Sequence, residues 1–135
     1  MASIFTAFKF RLYPTMKQEA RLSRMIEACR RLWNDALAHR NQRWEEKHQS
    51  TTYREQSKIL TAERKIDPLL AEPYAQAEQN ILMRLERAFK AFFDHRAGYP
   101  RFKKFSSSGS LTYPQAYHNG CVELDGPRKR LWLSK

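Results

Sequence analysis

The stretch "EPYAQAEQNILMRLERAFKAFF", residues 72–93, carries the most regular apolar pattern in the chain. Its large apolar side chains recur at intervals of three, four or seven residues, which places them on one face of an α-helix: Tyr74, Ile81, Leu85, Phe89 and Phe92. Pro73 suits a first helical turn, where its missing N–H costs nothing. The stretch therefore predicts an amphipathic helix of about 22 residues, and we assign its aromatic side chains to a core.

The side chains away from that stripe are mostly amides and cations: Gln76, Gln79, Asn80, Met83, Arg87 and Lys90. An amide can pair with adenine through a donor and an acceptor at once, and a cation suits a phosphate. A plain solvated helix face is an equally good interpretation, so this pattern alone leaves the two readings open.

The N-terminal segment "FTAFKFRLYP", residues 5–14, alternates apolar and charged side chains. That period of two predicts a half-buried strand over residues 4–13, ended by Pro14. Thr15 and Gln18 then form a capping box, and the apolar spacing that follows predicts a helix to about His48. One arc of this helix is basic, which favours either phosphate contact or a solvated face: Lys17, Arg21, Arg24 and Arg31.

Thr52 and Glu55 repeat the capping pattern and predict a short helix ended by Asp67 and Pro68. After Ala97 the helical period disappears, and three short strands are predicted at 111–117, 121–124 and 131–133. The last two are joined across the basic turn "DGPRKR", residues 125–130. The predicted fold class is therefore α+β, with three helices inserted into a small β-unit whose first strand pairs with strands from the far end.

The charge balance points to a polyanionic partner. The chain has 135 residues, 25 Lys and Arg against 14 Asp and Glu, and a formal net charge of +11. The excess lies in the two ends of the chain, which favours nucleic acid over a membrane surface. With no long apolar run and no apolar leader, we expect a cytoplasmic, prokaryotic protein associated with the nucleoid.

Catalytic and metal-binding motifs are missing from the sequence. The cysteines, Cys29 and Cys121, lack a second ligand at zinc spacing, so we interpret both as buried reduced thiols. The four histidines have no shared acidic neighbours, and no phosphate-binding loop or nucleophile motif occurs. We expect no cofactor, no metal site and no hydrolytic activity from these residues.

The stretch "GYPRFKKFSSSGS", residues 98–110, mixes flat rings with cations before a run of small polar residues. Cations bind phosphates and rings can stack on bases. We expect the rings of Phe102 and Phe105 to pack between the helical part and the β-unit, with stacking on bases as the alternative. "SSSGS" is interpreted as a flexible segment.

Four separated blocks resemble the N-terminal region of the OrfB (TnpB) proteins of insertion sequences: "FKFRLYPT" at 8–15, "CRRLWNDALAHRN" at 29–41, "RAFKAFF" at 87–93 and "AGYPRFKK" at 97–104. The resemblance implies an oligonucleotide-binding-like β-barrel, the wedge domain, interrupted by a helical recognition domain. On that basis residues 1–14 are the first wedge strand, 15–96 the recognition domain and 97–135 the return to the wedge.

Full-length proteins of this family are similar to compact type V CRISPR effectors, whose nuclease domain and zinc ribbon lie downstream. The resemblance implies that residues 1–135 are the front of a longer protein and do not cut DNA alone. It also implies that they bind guide RNA, its heteroduplex with the target DNA and a short target-adjacent motif in duplex DNA. Its implied motif-reading residues are Tyr53, Gln79, Asn80 and Thr112. Ala75 departs from the family, where a lysine can occur, which leaves the motif open.

The cations assigned to phosphate or RNA binding are spread along the whole chain: Lys9, Arg11, Lys17, Arg21, Arg24, Arg31, Arg87, Lys90, Arg101, Lys103 and Lys104. Two other functions remain open. The chain could act as a self-standing helix-turn-helix-like DNA-binding regulator or transposition accessory protein, or it could be a degenerate fragment without a specific role. The oligomeric state is not predicted.

Overall fold

The computed structural model describes residues 6–105, 109–114, 122–128 and 130–133. Its regular elements are four helices and one hairpin: α1 (Met16–Lys47), α2 (Tyr53–Glu63), α3 (Pro68–Ala71), α4 (Ala75–Phe93), β1 (Val122–Asp125) and β2 (Arg130–Leu133). The three long helices confirm the helical predictions, and the short α3 was not predicted.

Both predicted capping boxes are confirmed. Thr15 Oγ1 accepts a hydrogen bond from the Gln18 N–H at 3.2 Å, and Gln18 Oε1 accepts one from the Thr15 N–H at 2.9 Å. Thr52 and Glu55 form the same reciprocal pair at the start of α2. Each box satisfies N–H groups that the first turn of a helix leaves unpaired, so it fixes where the helix begins. Residue His48, at φ 53°, ends α1 in the left-handed region.

The core lies where α1, α2 and α4 meet. It contains the buried side chains Cys29, Leu32, Trp33, Ala36, Leu37, Leu60, Ile81, Leu82, Leu85 and Phe89. Side-chain contacts near the ends of the helices show their relative directions. Helix α4 runs parallel to α1, and α2 runs antiparallel to both. Cys29 is therefore a buried thiol as predicted, whereas Cys121 lies outside the described residues.

A partly buried ion pair fixes the corner between α2 and α4. Arg64, at the end of α2, donates to the carbonyls of Leu70 at 3.1 Å and Pro73 at 2.9 Å, and it pairs with the carboxylate of Glu78. Glu78 is fully buried on α4, and burial outweighs the Arg64 charge, raising the pKa of the carboxyl group to about 7. One guanidinium thus joins the end of α2 to the α3 connection and to α4.

The predicted α+β fold, with helices inserted into a β-barrel, is wrong, because the described residues are mostly helical. The only sheet among the described residues is the hairpin of β1 and β2, paired antiparallel from Val122–Leu133 to Asp125–Arg130. This hairpin confirms the last two predicted strands, but residues 6–13 and 111–113 form no strand. Phe8 and Phe10, on the predicted inner face, are 77% and 68% exposed. An alternating pattern makes a strand only where a neighbouring strand supplies its hydrogen bonds, and the described hairpin does not pair with this segment.

Candidate nucleic-acid interface

Residues 99–105, here called the strap, lie along α1 in the opposite direction. The indole Nε1 of Trp33 donates to the Arg101 carbonyl at 2.8 Å. The side chain of Asn34 binds both backbone groups of Lys103, donating to its carbonyl at 2.9 Å and accepting from its N–H at 2.7 Å. Arg30 donates to the same carbonyl at 2.9 Å. Because α1 binds the strap through its backbone, most strap side chains remain available to solvent.

The start of the strap is held by Tyr99. Its hydroxyl donates to Asn41 Oδ1, and its ring meets Phe89 and Phe92 edge-on, at centroid distances of 5.5 and 5.1 Å. Burial, and then the negative charge of Glu45, raises the pKa of the Tyr99 hydroxyl. Tyr99 is therefore a structural anchor of the strap.

An open groove of about 360 Å³ lies between α1, α4 and the far end of the strap. We call it the basic groove. Its charged lining is Arg30, Arg84, Lys103 and Lys104 with one carboxylate, Glu27. Glu27 accepts two hydrogen bonds from Arg30, of 2.8 and 2.6 Å, so the charge of Arg30 balances its negative charge. The groove is left with an excess of positive charge, which attracts anions.

Lys103 is held in the basic groove through both its side chain and its backbone. Its Nζ lies 4.3 Å from the centroid of the Trp33 ring, a cation–π contact, while Asn34 holds its backbone. Burial, followed by the nearby charge of Arg84, lowers the pKa of Lys103. Two cations that repel each other across one groove would both be stabilised by an anion placed between them.

The apolar side of the groove also depends on a close approach. A Cβ at Gly109 would lie 2.3 Å from Ile26 Cγ2, so only glycine lets the chain pass this close to α1. Gly109, which belongs to the segment predicted to be flexible, therefore lies against Ile26 of α1, while residues 106–108 lie outside the described residues. Cys29 lies beside Ile26 in the lining, and burial raises the pKa of its thiol to about 12, so it contributes no negative charge.

The basic arc predicted on α1 lies on a different flank from the groove. Arg24 forms a two-pronged contact with Glu72, with NH2 to Oε1 at 2.9 Å and Nε to Oε1 at 3.1 Å. Lys17 and Arg31 are exposed and Arg21 is half-buried. The arc is thus a second basic surface in which one cation is already paired.

The four residues assigned to motif reading lie at different heights along the axis of α4. Two of them belong to α4, one begins α2 and one follows the strap. Tyr113 stacks on Tyr74 at 5.4 Å, which places Thr112 near the beginning of α4. Tyr53 lies at the other end, because Gln56, one turn further along α2, binds Arg40, which binds Glu86. The heights of Thr112 and Tyr53 along α4 therefore differ by about twelve residues of α4, from Tyr74 to Glu86, and a further three residues of α2. At 1.5 Å per helical residue this is about 20 Å.

Gln79 and Asn80 lie between those two levels on α4. As successive helical residues they point about 100° apart. Both are half-buried, and Oδ1 of Asn80 is buried without a hydrogen-bond partner. The two amides therefore cannot form one flat edge together. Asn80 has a buried oxygen without a hydrogen-bond partner, whereas Gln79 has no such atom among the described residues.

The other assigned cations occupy three places. Lys9 and Arg11 lie in the exposed N-terminal segment, where the Arg11 guanidinium lies 5.6 Å from the Tyr13 ring. Arg87 and Lys90 are exposed on α4. Arg101, Lys103 and Lys104 belong to the strap. Only Lys103 and Lys104 among all of these residues line the basic groove.

Sequence reasoning missed Arg30 and Arg84. Arg84 stands three residues after Ile81, at the border between the apolar stripe and the outer face, where a long side chain can reach over a groove. Arg30 stands three residues after Glu27, a spacing that favours a helical ion pair. Those spacings were available in the sequence, but the meeting of both residues with the strap was not.

The described residues contain neither a membrane-spanning helix nor a cluster of metal ligands. None of the described helices is both long enough and apolar enough to cross a membrane. Within the same part of the chain, His, Cys, Asp and Glu side chains do not gather in groups of three or more that could hold a metal ion.

Comparison with known proteins gives a consistent class. Residues 1–49 match the model of the helix-turn-helix domain of OrfB proteins from IS605-type insertion sequences. The described part of this range contains one unbroken helix, α1, and α2 begins after it, at Tyr53.

Two relatives match almost the whole chain. It is 36% identical over 131 residues to a protein of Escherichia coli K12 named "Putative RNA-guided DNA endonuclease InsQ", covering 96% of this chain and 31% of that protein. It is also 36% identical over 130 residues to a "Putative RNA-guided DNA endonuclease" of Streptomyces pristinaespiralis, covering 92% of this chain and 32% of the relative. The resemblance is confirmed: the chain corresponds to the N-terminal region of OrfB/TnpB-type insertion-sequence proteins and spans about a third of these curated relatives.

Proposed function

We propose that this chain is the nucleic-acid-binding, non-catalytic region of a transposon-encoded RNA-guided DNA nuclease. The observation that carries the proposal is the basic groove, in which Lys103 is fixed by Trp33 and Asn34 opposite Arg84. Cations held in place before binding lose little side-chain entropy when a phosphate arrives, so such a groove binds a sugar–phosphate backbone better than mobile surface lysines do.

The basic groove is assigned to the backbone of the guide RNA. Backbone contacts set position and affinity without reading sequence, which suits a protein whose target is chosen by base pairing. The basic arc of α1 supplies a second line of phosphate contacts to the RNA or to its heteroduplex with the target strand. Cleavage is assigned to a part of the full-length nuclease outside these residues, since this chain spans about a third of the relatives named as RNA-guided DNA endonucleases.

The outer face of α4 is assigned to the target-adjacent DNA motif. The distance of about 20 Å between the levels of Tyr53 and Thr112 equals the length of about six base pairs at 3.4 Å each. A short duplex lying along α4 would therefore meet both residues at its ends and Gln79 in its middle. In this arrangement Gln79 reads a base edge, with Asn80 as its neighbour, and Arg87 and Lys90 bind phosphates.

A self-standing helix-turn-helix regulator is the second candidate, and the match of residues 1–49 favours it. Such a regulator would read the major groove with α2. Residues 52–72, however, carry equal numbers of cations and carboxylates, four each. The basic groove requires α4 and the strap as well as α1, and the similarity to the nucleases extends over these elements. The nuclease assignment therefore accounts for more of the molecule.

The groove is tested by the salt dependence of RNA binding. We expect the double variant Arg84→Ala, Lys104→Ala to lower the slope of log affinity against log salt by about 1.4–1.8, since each lost phosphate contact removes roughly 0.7–0.9. The matched control is Lys58→Ala, Lys65→Ala, which removes the same charge from exposed positions outside the groove. Equal slopes in the two double variants would contradict the assignment, because only net charge would then matter.

Motif reading is tested in the full-length nuclease with its guide, using a library of randomised motifs. We expect Gln79→Ala to relax the preference at one motif position, by about 1–3 kcal/mol of discrimination, with guide binding unchanged within a few fold. Arg87→Ala is the control, since loss of a phosphate contact weakens binding to all motifs alike. An unchanged motif preference in Gln79→Ala would show that this face is not the reader.

The absence of cleavage by this chain is tested with the purified protein and labelled DNA and RNA in magnesium or manganese. We expect both substrates to remain intact. Metal-dependent cleavage that copurifies with the protein through successive columns would contradict the non-catalytic assignment.

A further inference from the structure

Two phenylalanine rings of the strap are left in solvent although the strap itself is held firmly. Phe102 is 56% exposed and Phe105 is 77% exposed. The expected packing of these rings between the helical part and a β-unit is therefore not observed. Between them, Lys103 is bound to Asn34 through both backbone groups, so the strap cannot turn over to bury the rings without breaking those bonds. The exposed rings are thus a fixed feature of this surface.

The surroundings of the rings define what could cover them. Arg101 precedes Phe102, and Lys104 lies between the rings and lines the basic groove. An apolar protein surface laid over the rings would strip water from these cations and offer no charge in return, which is costly. A strand of nucleic acid covers the rings with base faces and at the same time brings phosphates to the cations.

We propose that Phe102 and Phe105 are a stacking platform for unpaired nucleotides of a single strand whose phosphates enter the basic groove. The bases must be unpaired, because a duplex hides its base faces within its own stack, whereas a single strand can place them on protein rings. The platform deepens the proposed function and rests on it. It gives affinity for single-stranded segments without choosing their sequence, since every base has a flat face.

The test uses the 135-residue chain and three fluorescent probes: a 15-nucleotide oligouridine, a 15-nucleotide oligothymidine and a 15-base-pair duplex. Phe102→Leu and Phe105→Leu keep an apolar side chain but remove the ring, whereas Phe102→Tyr and Phe105→Tyr keep the ring. We expect each Leu variant to lose at least about fivefold in affinity for a single strand, and each Tyr variant to stay within about twofold of the original chain.

The remaining readouts separate stacking from other causes. Binding to the duplex should change less than twofold in all four variants, and the salt slope for the single strand should not change, because no phosphate contact is removed. Thermal unfolding of each variant controls for loss of structure. The oligouridine and oligothymidine arms show whether the platform serves RNA, DNA or both, and a preference for either one supports it.

Three outcomes overturn the platform. Single-strand affinity that is unchanged in the Leu variants, in a chain that does bind nucleic acid in a salt-dependent manner, rejects the platform and leaves the proposed function standing. Equal losses for single strand and duplex, or unfolding of the Leu variants with intact Tyr variants, assign the rings to structure. Failure of the original chain to bind any of the three probes rejects the proposed function and the platform with it.

Discussion

Two segments of this chain are nearly alike in composition and differ in structure. Residues 8–14, "FKFRLYP", and residues 99–105, "YPRFKKF", each combine aromatic rings, two or three cations and one proline. Among the described residues, the first makes only local ring contacts, Phe8 with Phe10 at 6.4 Å and Arg11 with Tyr13. The second is bound to α1 at Arg101 and Lys103 by three different side chains.

The difference teaches that the partner surface, and not the segment itself, decides which stretch becomes ordered on the bundle. The chain leaves the end of α4 beside one flank of α1. That flank carries donors and acceptors for the strap backbone, from Trp33, Asn34 and Arg30. The N-terminal segment begins before α1 and meets no such set among the described residues. Backbone groups that find partners on a helix stay there, and those that do not remain with water.

The largest expected effect concerns the helical bundle to which both segments are attached. Burial raises the pKa of Glu78 to about 7, so its native state holds a proton more tightly than the unfolded chain does. The stability that this group contributes is therefore present below pH 4.5 and is lost as pH rises through about 7, by an amount of up to about 3 kcal/mol. We expect Glu78→Gln, which cannot ionise, to remove this fall in the free energy of unfolding.

The measurement is urea unfolding of both proteins at pH 5, 6, 7 and 8. Near pH 5 the two should be similar, and at pH 8 Glu78→Gln should be the more stable. The carboxylates Glu27 and Glu55, whose pKa values are lowered by hydrogen bonds from Arg30 and Arg43, lose their contribution only at more acidic pH. An identical pH dependence in the two proteins would contradict the assignment to Glu78.

The next effect breaks the strap. Asn34→Ala removes two hydrogen bonds to the backbone of Lys103, each worth about 1 kcal/mol, so we expect a loss of about 1–2 kcal/mol in the free energy of unfolding. Hydrogen exchange of the Lys103 amide should become faster, because its acceptor is gone. Gln42→Ala is the control, an exposed amide on the same helix that bonds only to Glu46. A Lys103 amide that stays protected in Asn34→Ala would make the comparison of the two segments invalid.

The smallest effect concerns the N-terminal segment. Phe8 and Phe10 are exposed, so Phe8→Ser with Phe10→Ser removes little buried surface. We expect the free energy of unfolding to change by less than about 0.5 kcal/mol, as for ordinary surface substitutions. A loss of more than about 2 kcal/mol would show that this segment is packed, and the contrast with the strap would disappear.

The sequence by itself determined the local structure. The capping boxes at Thr15 and Thr52 and the apolar spacing in residues 72–93 were sufficient for the three long helices, because helix starts and helix faces depend on residues within a few positions of each other. The terminal hairpin was predictable for the same reason, since its strands are joined by a short turn.

Only the tertiary structure decided which segments meet. The β-barrel prediction failed because strand pairing needs partners distant in the chain, and the alternation at Phe8 and Phe10 does not specify one. The basic groove could not be read from the sequence either, since Arg84 and Lys103 come from different elements. They meet because Asn34 and Trp33 bind the strap backbone, and hydrogen bonds to backbone groups leave no pattern in the side chains of the bound segment.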